Sequence, residues 1–235
     1  MGIAAPVTPT SAAAHAFVAD LGAPRLAPDD AHHLTRVLRL AAGTDVTVGD
    51  GAGRWRPARL AGGEELAATG DVAADPRPEP PITIAFALVK GDRPELVVQK
   101  LTELGADRIV PFVAERSVVR WDAAKAGRQA ERLAAIARAA AMQCRRTWLP
   151  EVAPLATFAD VAALPGAAMA DRGGGAPRLT LPVVLVGPEG GWSPAERSST
   201  IPRVRLGPHV LRAETASITS CVILSALRDE VVAST

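Results

Sequence analysis

Val183-Val184-Leu185-Val186-Gly187-Pro188-Glu189-Gly190-Gly191-Trp192-Ser193 is the stretch of this 235-residue chain that decides its fold class. Four consecutive aliphatic residues read as a strand buried on both faces, which is the mark of a parallel sheet. The strand runs into a glycine-rich turn. Ser193-Pro194-Ala195-Glu196 then opens a helix, with serine as N-cap, proline in the first turn and glutamate three residues on. In open α/β sheets, ligands bind at such places, outside the carboxyl ends of the strands. The turn has neither the Gly-Lys-Ser/Thr of a phosphate loop nor the GxGxxG of a dinucleotide site. A ligand held by backbone groups is expected, not a triphosphate.

A second strand-to-helix connection follows. Val204-Arg205-Leu206 reads as the last strand and 213–231 as the last helix, so Leu206 through Ala216 belongs to the same sheet edge as the glycine turn. Arg212 and Glu214 stand at that helix start, where a simple ion pair or a charge favoured by the helix dipole is an equal alternative to chemistry. Upstream, Ile82–Val89 predicts a buried strand, and Asp92-Arg93-Pro94-Glu95 a capped helix with the stripe Val97, Val98, Leu101, Leu104 and a stop at Gly105. Ile109–Val113 predicts a strand kept short by Pro111, and 123–145 a long alanine-rich helix. Gly173-Gly174-Gly175 reads as a flexible loop. Strands alternating with helices argue for a parallel α/β domain over 82–235.

The N-terminal part is different. Asp45–Val48 and Trp55–Leu60 flank Gly49-Asp50-Gly51-Ala52-Gly53, which reads as hairpins of a small β domain over 1–75, its first dozen residues a flexible extension. A short helix places His33, Leu34, Val37 and Leu38 on one face, with Arg36 and Arg39 beside it. Four prolines within 76–81 make a stiff linker.

Charge is nearly balanced, at +1 overall, so no global polyanion binder is indicated; residues 90–146, with 12 basic and 7 acidic side chains, are the only positive segment. Two cysteines 77 positions apart and four histidines form no ligand pattern, so no metal site is expected. The longest apolar run, Ile82–Val89 with Thr83 counted as tolerated, is far too short for a bilayer span, and no Lys or Arg occurs before Arg25. No membrane association and a cytoplasmic location are the expectations.

Six stretches in register are similar to the RsmE family of ribosomal-RNA methyltransferases, within the SPOUT class. They are His32-His33-Leu34-Thr35-Arg36-Val37-Leu38-Arg39-Leu40 with Asp50-Gly51, Lys90-Gly91-Asp92 through Leu101-Thr102-Glu103-Leu104-Gly105, and Glu115-Arg116-Ser117-Val118-Val119-Arg120-Trp121. Gln143-Cys144-Arg145-Arg146 with Pro150-Glu151-Val152, Gly187–Trp192 and Leu206–Ala216 complete the set. Met142, before the Gln-Cys pair, and His209 depart from the family pattern, in which an acid and an arginine are expected. The resemblance implies a PUA-like β-barrel for RNA, a C-terminal α/β domain with a deep trefoil knot, and a homodimer. It also implies S-adenosylmethionine as cofactor and N3 of a 16S rRNA uridine as acceptor.

Carried over by position, Leu185, Gly187, Pro188, Glu189, Gly190, Gly191, Leu206, Gly207, Val210 and Leu211 hold the cofactor. Uracil N3 is a poor nucleophile until its proton leaves, so Arg212 is assigned to neutralise the uracil anion, and Glu214 to orient Arg212 or help remove the proton. RNA contacts are expected from Arg36, Arg39, Arg116, Arg120 and Arg146. Two other functions fit the same residues: methylation of a ribose 2′-hydroxyl or tRNA base, or RNA binding without catalysis.

Overall fold

The structure, a computed structural model, describes residues 7–91 and 93–232. It resolves into two compact units, one made of residues up to Arg77 together with Ala141–Leu149, the other of Pro78–Ala140 with the chain from Pro150 onward. Among the described residues no helix is long and apolar enough to cross a membrane.

The first unit is a five-stranded sheet. Strands β1 (His15–Phe17), β2 (Asp45–Gly49), β3 (Arg54–Gly62) and β4 (Glu65–Ala68) lie in that order, with β5 (Ala73–Ala74) also on β3. The expected hairpin is β2–β3, antiparallel, with Val48 opposite Arg56; Asp50 Oδ1 accepts the amides of Ala52 and Arg54 and closes the turn. Ala14, Val46, Val48, Ala58, Leu34 and Leu60 form its core. The start of the chain differs from the expected extension: Ala12 is buried, and Arg145 donates to the carbonyls of Pro9, Ala12 and Ala13. Residues 1–6 lie outside the described residues. The expected helix face also differs. After α1 (Pro28–His32), His33–Val37 is a π-helical turn in which the Leu38 amide reaches back five residues to His33. That wider winding breaks the 3.6-residue period, so Leu34 is buried while Val37 and Leu38 are 59% and 46% exposed.

The second unit carries a parallel sheet in the order β12-β10-β11-β6-β7-β8, with β9 also on β7. Its strands are β6 (Thr83–Ala87), β7 (Arg108–Val113), β8 (Glu151–Val152), β9 (Ala156–Thr157), β10 (Ala167–Gly175), β11 (Val183–Val186) and β12 (Arg203–Val204). Its helices are α2 (Arg93–Glu103), α3 (Ala123–Cys144, which ends in the first unit's residues), α4 (Phe158–Ala162), α5 (Pro194–Arg197) and α6 (Ala213–Arg228). Side chains alternate between two cores. Ile84, Phe86, Val184 and Val186 join Val97, Val98, Leu101 and Leu224 on one face; Ala85, Ala87, Leu185 and Met169 join Phe112 and Trp192 on the other. Pro111 does not shorten β7. The Ile109 carbonyl accepts from Ala153, which puts 109, 111 and 113 on the outer side, and β8 pairs only up to Ile109 while β9 begins at Phe112. The missing N–H therefore falls in the gap between two short partners.

The second unit departs from expectation at three further points. Asp92, expected as N-cap of α2, lies outside the described residues. The last strand is Arg203–Val204, not 204–206, and the last helix stops at Arg228. Gly173–Gly175 is no flexible loop. It is the end of β10, which bulges between Ala170 and Gly175 and meets Val204 again at Gly175. A Cβ on Gly174 would lie 2.5 Å from the backbone of Arg203 and Val204, so only glycine lets the two strands cross this closely.

His15 supplies a pH test of the first unit. Burial lowers its imidazole from 6.5 to about 4, the positive charge of Arg145 adds to this and Asp75 opposes it. Nδ1 bonds to Thr47 Oγ1 at 2.9 Å, whereas Nε2 is buried without a partner among the described residues. The unfolded chain takes up the proton first, so the contribution is complete above pH 6.5 and is lost as pH falls towards 4. We expect a loss of about 3 kcal/mol over that window. Denaturant unfolding between pH 7 and 4 checks this; His15→Gln should flatten that part of the profile, and an unchanged slope would contradict it.

Candidate active site

A cavity of about 420 Å³ opens where β11 and β12 end beside the bulge of β10. Three segments make most of its wall: Ala170, Asp171 and Arg172 of β10; Val186 at the end of β11 through Glu189, with Gly191 and Trp192; and Leu206, Gly207 and His209 through Ala213 after β12; Arg197 of α5 and Ala216 of α6 complete it. Its size suits a small organic ligand. The two connections singled out in the sequence meet here, as their places on one sheet edge required.

Trp192 fixes the glycine turn. Its ring is buried, stacks on Phe112 at 6.2 Å and meets Phe158 edge-on, while Nε1 donates to the Ala170 carbonyl at 3.0 Å. The turn folds under this ring: a Cβ on Gly187 would stand 2.8 Å from it. Beyond Trp192, the expected capping box forms. Ser193 Oγ accepts from the Glu196 amide and Glu196 Oε2 accepts from the Ser193 amide at 2.8 Å. Glu196 is buried, and its other oxygen accepts from the Glu115 amide at 2.8 Å, so one carboxylate ties the segment after β7 to the helix after the turn.

Of the residues expected at the cofactor, Gly187, Pro188, Glu189, Gly191, Leu206, Gly207, Val210 and Leu211 line the cavity, and so does Arg212. Leu185 does not; it is wholly buried in the sheet core. Gly190 does not either, and its carbonyl accepts from Arg116 Nη1 at 3.3 Å. Arg212 is exposed and carries no ion pair among the described residues. Glu214 lies outside the lining and faces Arg93, whose Nε is 3.8 Å from its Oε1.

Arg36 and Arg39 are exposed on the first unit, without an ion pair among the described residues. Arg120 donates to the Glu115 carbonyl, and Arg146 is half-buried. Sequence reasoning missed Asp171, Arg172 and Arg197, whereas His209, noted as a departure from the family pattern, does stand in the lining. Asp171 pairs with Arg197 at 3.0 Å and caps the Gly173 amide. Ala167–Gly175 has no β-branched residue, so β10 shows little strand propensity; the apolar Ala167-Ala168-Met169 run was its one signal. Among the described residues no cluster of three His, Cys, Asp or Glu stands close enough for a metal ion.

The family models give these two units a class, that of an RNA methyltransferase. Residues 76–225 match the RNA methyltransferase domain and residues 26–69 the RNA methyltransferase PUA domain. The chain belongs to the ribosomal RNA small subunit methyltransferase E family: it is 31% identical over 218 residues to that protein of Mycobacterium bovis, covering 80% of each chain. A probable rRNA-methyltransferase from Porphyromonas gingivalis superposes with a TM-score of 0.78 at 28% identity, covering 93% of this chain and 100% of that one. A ribosomal RNA small subunit methyltransferase E from Neisseria gonorrhoeae bound to S-adenosyl methionine gives 0.78 at 25% identity, covering 91% and 97%.

Gly187→Ala tests the turn. The added methyl must push Trp192 or the turn out of place, so S-adenosylmethionine should bind at least about tenfold more weakly by calorimetry, with the unfolding midpoint lowered by only a few degrees. Unchanged affinity would show that the turn does not depend on this close packing.

Proposed function

We propose that the chain transfers a methyl group from S-adenosylmethionine to N3 of a uridine in 16S rRNA of the small ribosomal subunit. The observation that carries the proposal is the cavity made by the glycine turn and the 206–213 segment, with Arg212, which has no ion pair among the described residues, in its wall. The residues fit the cofactor. Val186, Leu206, Leu211 and Ala216 offer apolar surface, backbone groups of 187–191 and 206–211 offer hydrogen bonds, and Glu189 offers a carboxylate to its cationic group. When bound, it supplies a methyl group made electrophilic by the sulfonium.

The protein's task is then positional and electrostatic. Uracil N3 sits on the pairing edge, so the base must be unpaired or swung out to be reached. As the N3 proton leaves, negative charge spreads onto the carbonyl oxygens, and Arg212, exposed and without an ion pair among the described residues, is assigned to neutralise it. RNA affinity is assigned to the PUA-type unit through Arg36 and Arg39, with Arg116, Arg120 and Arg146 as further contacts. Arg116 already donates to the Gly190 carbonyl, so RNA bound there would also brace the cofactor turn. By its family the α/β unit is taken as the SPOUT type, knotted and dimeric, working in the cytoplasm.

Methyl transfer from labelled cofactor to small subunits lacking the modification, followed by nucleoside analysis, tests the proposal. The expected product is 3-methyluridine; a 2′-O-methyl nucleoside, or no labelled nucleoside in the subunit RNA, would overturn the assignment. Arg212→Ala should lower turnover about 100-fold, equivalent to about 3 kcal/mol, with cofactor affinity within about threefold. Near-normal turnover in that variant would remove the anion-stabilising role.

A further inference from the structure

Glu214 sits in the first turn of α6 with its side chain only 13% exposed. Its Oε2 is sealed from solvent and has no hydrogen-bond partner among the described residues. A carboxylate held this way is costly unless a cation stands beside it. That cation is Arg93, with Nε 3.8 Å from Glu214 Oε1. The far end of the same guanidinium, Nη1, donates to Glu189 Oε1 at 3.2 Å, and Glu189 lines the cavity within the glycine turn. Among the described residues nothing joins Glu214 to Arg212.

From this geometry we infer that Glu214 and Arg93 are positioning residues for the cofactor turn. The buried carboxylate fixes the guanidinium, and the guanidinium holds Glu189 and the 187–191 turn in the shape that receives the methyl donor. This rests on reading the cavity as the S-adenosylmethionine site. Glu214 is badly placed to take a proton from RNA, since one oxygen is sealed and the other faces Arg93. The Arg93–Glu189 contact alone, with side chains 37% and 41% exposed, would be a weak surface pair. Its buried partner behind, and its place at the start of α2, whose Val97, Val98 and Leu101 are packed in the core, give it direction.

Calorimetry of S-adenosylmethionine binding to the full chain without RNA, paired with single-turnover transfer at saturating cofactor, separates the possibilities. Arg93→Ala should weaken cofactor binding about tenfold and leave the rate at saturation within about threefold. Arg93→Lys, which keeps the charge but loses the fork, should recover part of the affinity. Glu214→Gln should resemble Arg93→Ala, and the double variant should bind within about twofold of Arg93→Ala, because both act through one chain of contacts. Glu189→Ala, a change at an exposed position, should weaken binding and make it insensitive to Arg93→Ala.

Unchanged affinity in Arg93→Ala, or effects that simply multiply, would overturn the relay. So would loss of transfer at saturating cofactor in Glu214→Gln, which would put that carboxylate on the reacting atoms. A wild-type chain that binds no S-adenosylmethionine removes both this inference and the reading beneath it. Binding without a methyluridine product refutes only the RNA target.

Discussion

The site depends on the register of three neighbouring parallel strands. Val183 of β11 pairs with Ala167 of β10, and Met169 of β10 pairs with Arg203 of β12, so the segments after β11 and β12 leave the sheet side by side. A ligand site at that edge is the ordinary consequence of a parallel sheet, because every strand delivers its following loop to the same end. The less ordinary part is β10. Its bulge between Ala170 and Gly175 bends the strand across β12, and the absence of a side chain at Gly174 permits the close crossing. The bulge also exposes Asp171 and Arg172 to the cavity, so one irregularity both places β12 and contributes a third wall.

Much of this was legible in the sequence. The Val183–Val186 run, the Ser193/Glu196 capping box and the stripe of α2 each combine a local signal with a matching tertiary role, and all three appear where their patterns put them. What was illegible has a physical reason in each case. β10 hid in alanine and glycine, whose strand character comes from pairing and not propensity. The helix at 28–37 hid its winding, since a π turn has the same composition as an α turn but a different period. In the sequence Arg93 shows only as part of a helix start. Its contacts lie 96 and 121 positions along the chain, and no local pattern reports them.

Electrostatics then divides the labour within the α/β unit. Glu196 and the Arg228–Asp107 pair, whose side chains are about 5% exposed, are buried and hold backbone segments together. Arg93 sits between a buried and an exposed carboxylate and works on the shape of the turn. Arg212 has no ion pair among the described residues, as its proposed role at the acceptor anion requires. Such an arrangement suits a reaction whose donor is already activated, where geometry and stabilisation of the acceptor anion are what the protein must add.

Hydrogen exchange with and without S-adenosylmethionine tests most directly that the strand ends form the cofactor site. Amides of 187–191 and 206–212 should slow on binding, while those of 183–186, already in the sheet, and of the first unit's 45–62 hairpin should not change. Protection centred instead on the smaller cavity near Lys90, Trp121 and Lys125, or no protection at saturating cofactor, would contradict the account.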